Sequence, residues 1–268
     1  MEHNYALITG ATGVIGRRFA IEYAKRGYNL FLTGRDGGKL ADVKTDIVLT
    51  APDIDIICFP CDLSDGESRD RLYEQIKESG ANVTRAALVA GLDDEGPFVG
   101  FSKELIRRMI RVNAEAAIET TSELIKTRGA DELKVVVISS LAAYFRMPLM
   151  ALYSASKRML YHFFLALKEE LKGTGISATL VLPGAVPTRP DIIERINAQG
   201  FFGRISSMPP DKLAKKSVCK SEKGRAVYVP NLFNKFLRTL SFIVPARLVS
   251  KAAGRKWRKA AKKKGNRE

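Results

Sequence analysis

Tyr153 and Lys157 stand four residues apart in Tyr-Ser-Ala-Ser-Lys. On a helix that spacing puts both side chains on one face. An ammonium beside a phenol favours the phenolate and lowers its pKa from about 10. Such a tyrosine can exchange a proton with a substrate oxygen near neutral pH. Ser139-Ser140 closes the β-forming run KVVVIS. A hydroxyl at the C-terminal end of a strand is placed to hydrogen-bond the same oxygen, because ligands of open α/β sheets bind at that edge. Tyr-x-x-x-Lys alone is common by chance, so its weight comes from what surrounds it.

Near the N-terminus, Thr9-Gly10-Ala11-Thr12-Gly13-Val14-Ile15-Gly16 follows an apolar run and opens a helical pattern. Glycines there let backbone N–H groups and a helix N-terminus approach a pyrophosphate. The plainer reading is a tight turn with close helix–sheet packing, and the strand–turn–helix context favours the dinucleotide site. The next β run ends Thr33-Gly34-Arg35. An acidic residue here would hold the ribose 2′-hydroxyl of NAD, whereas an arginine suits the 2′-phosphate of NADP(H). Arg35 therefore predicts NADPH, although Asp36 follows it directly. Asp62, at the end of a third run, can bond an adenine amino group or cap a helix beginning near Ser64.

These residues need a scaffold, and the hydropathy pattern supplies one. Strands are predicted at Tyr5–Thr9, Asn29–Thr33, Ile54–Phe59, Arg85–Ala90, Lys134–Ser139 and Ile176–Leu182, with a seventh at Ala226–Val229. Helical periodicity fills Ile15–Tyr23, Lys39–Leu49, Glu67–Ser79, Ser102–Thr127 and Tyr153–Lys172. Alternating strands and helices imply right-handed crossovers and a doubly wound parallel α/β sheet. Strands rich in Val, Ile and Leu without polar alternation fit burial on both faces. The expected organisation is a dinucleotide-binding domain over 1–230, with a substrate-covering loop at about 188–215, then an amphipathic, basic helical extension over 231–268.

The 268 residues carry 44 Lys and Arg against 29 Asp and Glu, a formal charge of +15. Nine of the basic residues and only Glu268 of the acids lie between Lys251 and the C-terminus. That run, after the apolar face of Leu232, Phe233, Phe236, Leu237, Leu240 and Ile243, fits peripheral contact with an anionic membrane. Packing of that face on the domain, an oligomer contact and a solvated terminus compete with this reading. Nucleic acid is disfavoured, since Trp257 is the one aromatic in the run and no binding module is visible. Three cysteines, Cys58, Cys61 and Cys219, fit a reducing cytosol rather than a disulfide framework. The Cys58-x-x-Cys61 pair lacks further ligands, since only His3 and His162 exist, so no metal site is expected. No leader is expected, because the first residues run straight into a strand. No apolar run reaches the length of a membrane span.

TGATGVIG, Ser140, YSASK and Pro183-Gly184-Ala185-Val186-Pro187-Thr188 together resemble the short-chain dehydrogenase/reductase family over residues 1 to about 190. The resemblance implies a tetrad. Tyr153 is then the general acid/base, Lys157 lowers its pKa and binds the nicotinamide ribose, Ser140 orients the carbonyl, and Asn113 holds a water of a proton relay. It implies cofactor contacts at Gly10, Thr12, Gly13, Ile15 and Gly16. Further contacts are implied at Arg35, Asp62, Leu63, Ala90 and Gly91, with Pro183, Gly184, Val186 and Thr188 at the nicotinamide carboxamide. It also implies a homo-oligomer paired through the 102–127 region and the helix beginning at Tyr153. Two departures stand out. The Pro183–Thr188 segment and the length resemble the family's single-domain branch, but the Gly10, Gly13, Gly16 spacing is closer to its extended branch, with Val14 at a usual glycine. Leu88-Val89-Ala90-Gly91 replaces the family's Asn-Asn-Ala-Gly, removing side chains that steady the central sheet.

The expected activity is interconversion of a ketone and a secondary alcohol with NADPH. Ile192, Ile193, Ile196, Phe201, Phe202, Ile205, Met147, Leu149 and Met150 supply apolar side chains for a substrate such as a 3-oxoacyl chain, a steroid or another lipid-like carbonyl, or simply for the core. An NAD-dependent epimerase-like enzyme and a catalytically weak dinucleotide sensor are the alternatives. The short C-terminus and Arg35 weigh against the first, and intact Ser140, Tyr153 and Lys157 against the second.

Overall fold

A computed structural model of the chain describes residues 4–128, 132–244 and 247. The basic run from Lys251 onward, Trp257 and His3 lie outside the described residues. Seven parallel strands form one sheet in the order β3-β2-β1-β4-β5-β6-β7. They are β1 Asn4–Thr9, β2 Asn29–Gly34, β3 Ile56–Pro60, β4 Asn82–Leu88, β5 Leu133–Ile138, β6 Ile176–Val181 and β7 Val227–Tyr228. Every predicted strand is present, with ends shifted by up to three residues.

Helices cover both faces. On one face α1 (Val14–Ala24) and α2 (Gly37–Val48) pack Phe19, Tyr23, Leu40 and Ile47 against Ile8, Leu30 and Leu32. On the other, α3 (Gly66–Glu78), α4 (Lys103–Ile110), α5 (Ala116–Thr127) and α6 (Ala151–Glu170) follow in chain order. Leu72, Leu124, Leu160 and Phe164 meet Leu7, Val135 and Leu180 there. With both faces covered, β2 is buried at every position, which is why its sequence shows no polar alternation. Strand order reverses between β1 and β4, so their C-terminal ends open a crevice, the usual ligand position in such sheets.

Three elements differ from the sequence expectation. The 102–127 helix is two helices joined by a single π turn, Arg111–Glu115. The extra residue there is held by a side-chain bond described below, and no Pro or Gly announces it. Helix α6 begins at Ala151, two residues before Tyr153. Its cap, Met150, has no side-chain acceptor, so the sequence carries no start signal. The 188–215 segment is largely helical: α7 (Pro190–Ala198), α8 (Gly200–Ser206) and the start of α9 (Pro210–Glu222). Pro190 at the first helical turn starts α7. Gly200, at φ +59°, turns the chain into α8. Helix α9 is not a cover at all, because Leu213, Ala214 and Val218 are buried beside α1 in the core.

Beyond β7 runs α10 (Leu232–Ile243). Its expected apolar face packs on the domain only in part, through Leu237 against the core and Phe233 against Phe202. Leu232, Phe236 and Ile243 are 83%, 60% and 72% exposed, and the buried residue is Asn234. Asn234 Nδ2 donates to the Ser206 carbonyl at 2.9 Å and its Oδ1 accepts from Ser206 Oγ at 2.9 Å. A polar hook therefore sets the helix's rotation.

Candidate active site

The phosphate turn is built by steric necessity. Gly10 has φ +67°, and a Cβ on it would touch the Ala90 backbone at 3.0 Å. A Cβ on Gly16 would lie 2.1 Å from the Gly10 carbonyl oxygen. Gly13 has an ordinary φ of −80° and caps α1 without a side-chain bond, leaving that helix N-terminus open to an anion. The turn, the ends of β2–β4, α4 and Thr188 enclose a cavity of about 410 Å³. Of the expected residues, Gly10, Thr12, Gly13, Ile15, Gly16, Arg35, Asp62, Leu63, Ala90, Gly91 and Thr188 line it. A cradle that side chains would fill, at the strand-order reversal, fits a dinucleotide.

Sequence reasoning missed Val14, Gly34, Val89, Leu92, Arg108, Val112 and Arg189 on the same walls. Arg108 sits one helical turn before Val112 on the 103–115 segment, so the two share the face that lines the cavity. Pro183, Gly184 and Val186 do not line that cavity. The Pro183 carbonyl accepts from Leu141 N at 2.8 Å, and Val186 is buried in the core. Gly184 admits Ser206 and Asn234, since a Cβ would lie 2.4 Å from Ser206 Oγ.

Arg35 and Asp36 divide their duties. Asp36 caps α2, accepting from Lys39 N at 3.1 Å, and that backbone bond lowers its pKa. Arg35 is left exposed at the cavity wall. Asp62 does not cap α3, because Asp65 accepts from Ser68 N instead. Asp62 Oδ1 accepts from Ser64 N at 2.9 Å and Ser64 Oγ at 2.7 Å. These bonds fix the carboxylate at the cavity edge.

The lost asparagines after β4 have local replacements. Thr9 Oγ1 accepts from Val89 N at 3.1 Å and from Ala90 N at 3.4 Å, tying β1 to the end of β4. Asn113, in the π turn, is almost fully buried. Its Oδ1 accepts from Leu92 N at 2.6 Å, and its Nδ2 donates to Leu92 O at 2.8 Å and Ser156 Oγ at 3.1 Å. Its side chain thus clamps the loop after β4 to α6. Both polar atoms of the side chain are taken by protein groups, which leaves its backbone to hold a water.

Ser139 and Ser140 also split their roles. Ser139 Oγ donates to Lys157 O at 2.9 Å and stitches β5 to α6. Ser140 turns the other way, its Oγ accepting from Ala142 N at 3.1 Å and lying near enough to Tyr153 to act on its pKa. Burial raises the Tyr153 pKa, the Ser140 hydroxyl opposes the rise, and the nearby Asp93 charge adds to it. Lys157 does not lower it as expected. Its Nζ donates to Ile138 O at 3.0 Å and stands 6.0 Å from the Tyr153 ring centroid. Burial pushes Lys157 down to about 8, with Asp93 opposing. The sheet carbonyl takes the ammonium that spacing alone would give to the phenol. Gly91 makes this approach possible, since a Cβ there would lie 3.1 Å from Lys157 Nζ.

A carboxylate–guanidinium clasp closes one side. Arg189 binds Asp93 at 2.9 and 3.2 Å and also Asp191, while Arg195 binds Glu95 at 2.7 Å and Asp191 at 3.0 Å. The two guanidinium groups hold Asp191 down at about 2.

A doubly wound parallel sheet with a glycine cradle at its reversal point defines the Rossmann class of dinucleotide folds. The sequence profile of the family described as short chain dehydrogenase matches residues 4–197, and the chain belongs to that family. It is 30% identical over 186 residues to the very-long-chain 3-oxoacyl-CoA reductase of Coccidioides immitis (strain RS), covering 67% of this chain and 52% of that one. It is 31% identical over 202 residues to the protein of the same name from Pyrenophora tritici-repentis (strain Pt-1C-BFP), covering 72% and 58%. The chain spans about half the length of the curated relatives it matches. Among solved structures, it resembles a 7β-hydroxysteroid dehydrogenase with TM-score 0.83 at 21% identity, covering 94% of this chain and 96% of that one. It also resembles a short-chain dehydrogenase from Sphingobium yanoikuyae in complex with NADPH, with TM-score 0.74 at 23% identity, covering 96% and 95%. These last two likenesses concern the fold.

Proposed function

We propose that the chain is an NADPH-dependent reductase that converts a long-chain 3-oxoacyl thioester, or a similarly apolar ketone, to the secondary alcohol. The observation that carries this reading is that Tyr153 and Ser140 stand near Lys157, whose Nζ lies against Gly91 of the cofactor cavity. The reduced nicotinamide supplies the hydride that reaches the carbonyl carbon. Tyr153 gives its Oη proton to the carbonyl oxygen, and its raised pKa keeps that proton available through neutral pH. Ser140 donates to the same oxygen and holds the carbonyl in line. Lys157, anchored by Ile138 O, offers a charged donor to a ribose hydroxyl. Arg35 binds the adenosine 2′-phosphate, with Asp36 removed from competition by its capping bond.

The names of the curated relatives and the NADPH of the Sphingobium yanoikuyae protein support the substrate class and the cofactor. So do Ile193, Phe201, Phe202 and Ile205, which stay exposed on α7 and α8 beside the clasp rather than joining the core. Pairing into a homo-oligomer through α5 and α6 accompanies this reading, supported by half-buried Ile118 and Ile125 and by exposed Met159. Light scattering reads that state directly.

The test is NADPH and NADH titration of the purified chain, followed by NADPH oxidation with 3-oxoacyl-CoA esters of increasing length. NADPH should bind more tightly, Arg35→Ala should cost about 10- to 100-fold in NADPH affinity with little effect on NADH, and long esters should turn over best. Equal affinity for the two cofactors, or a preference for small polar ketones, would overturn the respective half of the proposal.

A further inference from the structure

On the far side of the molecule, β7 and the end of α9 face α10 across a groove of about 620 Å³. Four cations line it, Lys220, Arg225, Lys235 and Arg238, and no carboxylate does. Glu222, between Lys220 and Arg225 in sequence, is turned inward to Arg85 and Lys134. Among the described residues, Lys220, Arg225 and Lys235 form no ion pair, and Arg238 lies over the Tyr144 ring at 5.7 Å. Cations gathered without counter-charges make a positive potential that attracts an anion. The walls are apolar, with Val227, Val229, Phe242 and Ile243 among them.

The same helix carries an unpartnered stripe. Leu232, Phe236, Leu240 and Ile243 point outward because the Asn234–Ser206 hook occupies the inner face. Phe233 meets Phe202 of α8 at 6.0 Å between ring centroids, which joins the stripe to exposed Phe201 and Phe202. The chain beyond α10 then adds nine basic residues and one acidic residue from Lys251 to Glu268. Cations flanking exposed aliphatic and aromatic side chains match an anionic lipid surface, where headgroups meet the charge and the acyl boundary takes the stripe. A nucleic acid would leave Leu232, Leu240 and Ile243 facing water. Among the described residues no helix is long and apolar enough to cross a membrane, so the contact lies at the surface.

We propose that the α9–β7–α10 groove and the outward face of α10 dock this chain onto anionic membranes, with phosphate-bearing lipid headgroups seated between Lys220, Arg225, Lys235 and Arg238. This does not depend on the reductase reading.

The test is co-sedimentation of the full chain with phosphatidylcholine vesicles, with and without phosphatidylserine. The wild-type chain should pellet with the anionic vesicles, less as salt rises, and stay in solution with the neutral ones. Arg225→Gln with Lys235→Gln, both at exposed positions, should lower the partition constant about 25-fold, roughly fivefold per cation removed. Phe236→Ser with Ile243→Ser should lower it further. Melting curves confirm folding of each variant, and Lys220→Gln with Lys235→Gln must reproduce the loss should the first pair fold poorly. Wild-type pelleting of the cation variants would show that the basic terminus acts alone and overturn the proposal. Equal binding to neutral vesicles would do the same. So would displacement by soluble glycerophosphate at constant ionic strength, which would make the groove a site for free phosphate.

Discussion

Replacing Lys157 with Met should make the protein more stable and, on the proposed mechanism, inactive. Lys157 is 3% exposed, and burial moves its pKa from 10.5 to about 8. A shift of that size corresponds to about 3 kcal/mol by which the folded state disfavours the ammonium. Met keeps the length and removes the charge. The Ile138 carbonyl then loses its 3.0 Å donor, at a cost of about 1–2 kcal/mol. The balance is a gain of about 1–2 kcal/mol at neutral pH, read as a rise in Tm of roughly 3–6 °C for a domain of this size. The sign with pH follows from linkage. Below about pH 8 lysine is protonated in both states and the penalty is complete. Between about 8 and 10.5 the unfolded chain binds more protons, so wild-type stability rises with pH there. Urea unfolding of both proteins without cofactor, at pH 7 and pH 10, therefore tests the argument. The gap should shrink by about 2 kcal/mol between the two pH values. A variant less stable than wild type at pH 7, or a gap that ignores pH, would refute the account of Lys157 as a buried charge held for function.

Three further outcomes are expected. Tyr153→Phe should lower kcat by about 10²- to 10⁴-fold while leaving the NADPH dissociation constant within about twofold, since only proton transfer is lost; fluorescence titration and turnover read the two separately. Gly16→Ala should abolish measurable NADPH binding, because the new Cβ would sit 2.1 Å from Gly10 O and force the cradle apart. Glu222→Gln should destabilise the fold by about 1–3 kcal/mol at pH 7: burial pushes Glu222 up, but its bonds to Arg85 and Lys134 hold it below the usual range. Because its folded pKa is depressed, wild-type stability should fall as acid protonates it, and the variant's unfolding free energy should change less between pH 6 and pH 3 by urea titration.

The sheet was legible because each buried strand is a short Val/Ile/Leu-rich run, and the cradle because glycine spacing encodes close backbone approach. What stayed hidden depends on partners distant in sequence. The π turn exists because Asn113 reaches Leu92, twenty-one residues away, and no local propensity records that bond. Lys157 shares a helix face with Tyr153, as i,i+4 spacing requires, yet Ile138 O captures its ammonium, a competitor on another element. Helix α9 was lost in a presumed loop because its buried face, Leu213, Ala214 and Val218, alternates with lysines that look solvated. The apolar stripe of α10 stayed open between membrane contact, packing on the domain and an oligomer contact, since periodicity gives an apolar side without saying which way Asn234 will turn it.

The Arg189 and Arg195 clasp joins two segments whose side chains are a quarter to a half exposed. Pairs of that kind contribute about 0–1 kcal/mol each and weaken as salt screens them. Thr188 and Arg189 also form part of the cofactor cavity wall. A wall fastened by screened charges is a latch whose stiffness the solvent sets: dilute buffer holds it shut and prolongs residence of whatever lies beneath, and concentrated salt lets it swing. Turnover limited by departure of the spent dinucleotide would then quicken with ionic strength, while the proton transfer proposed for Tyr153 keeps its own rate.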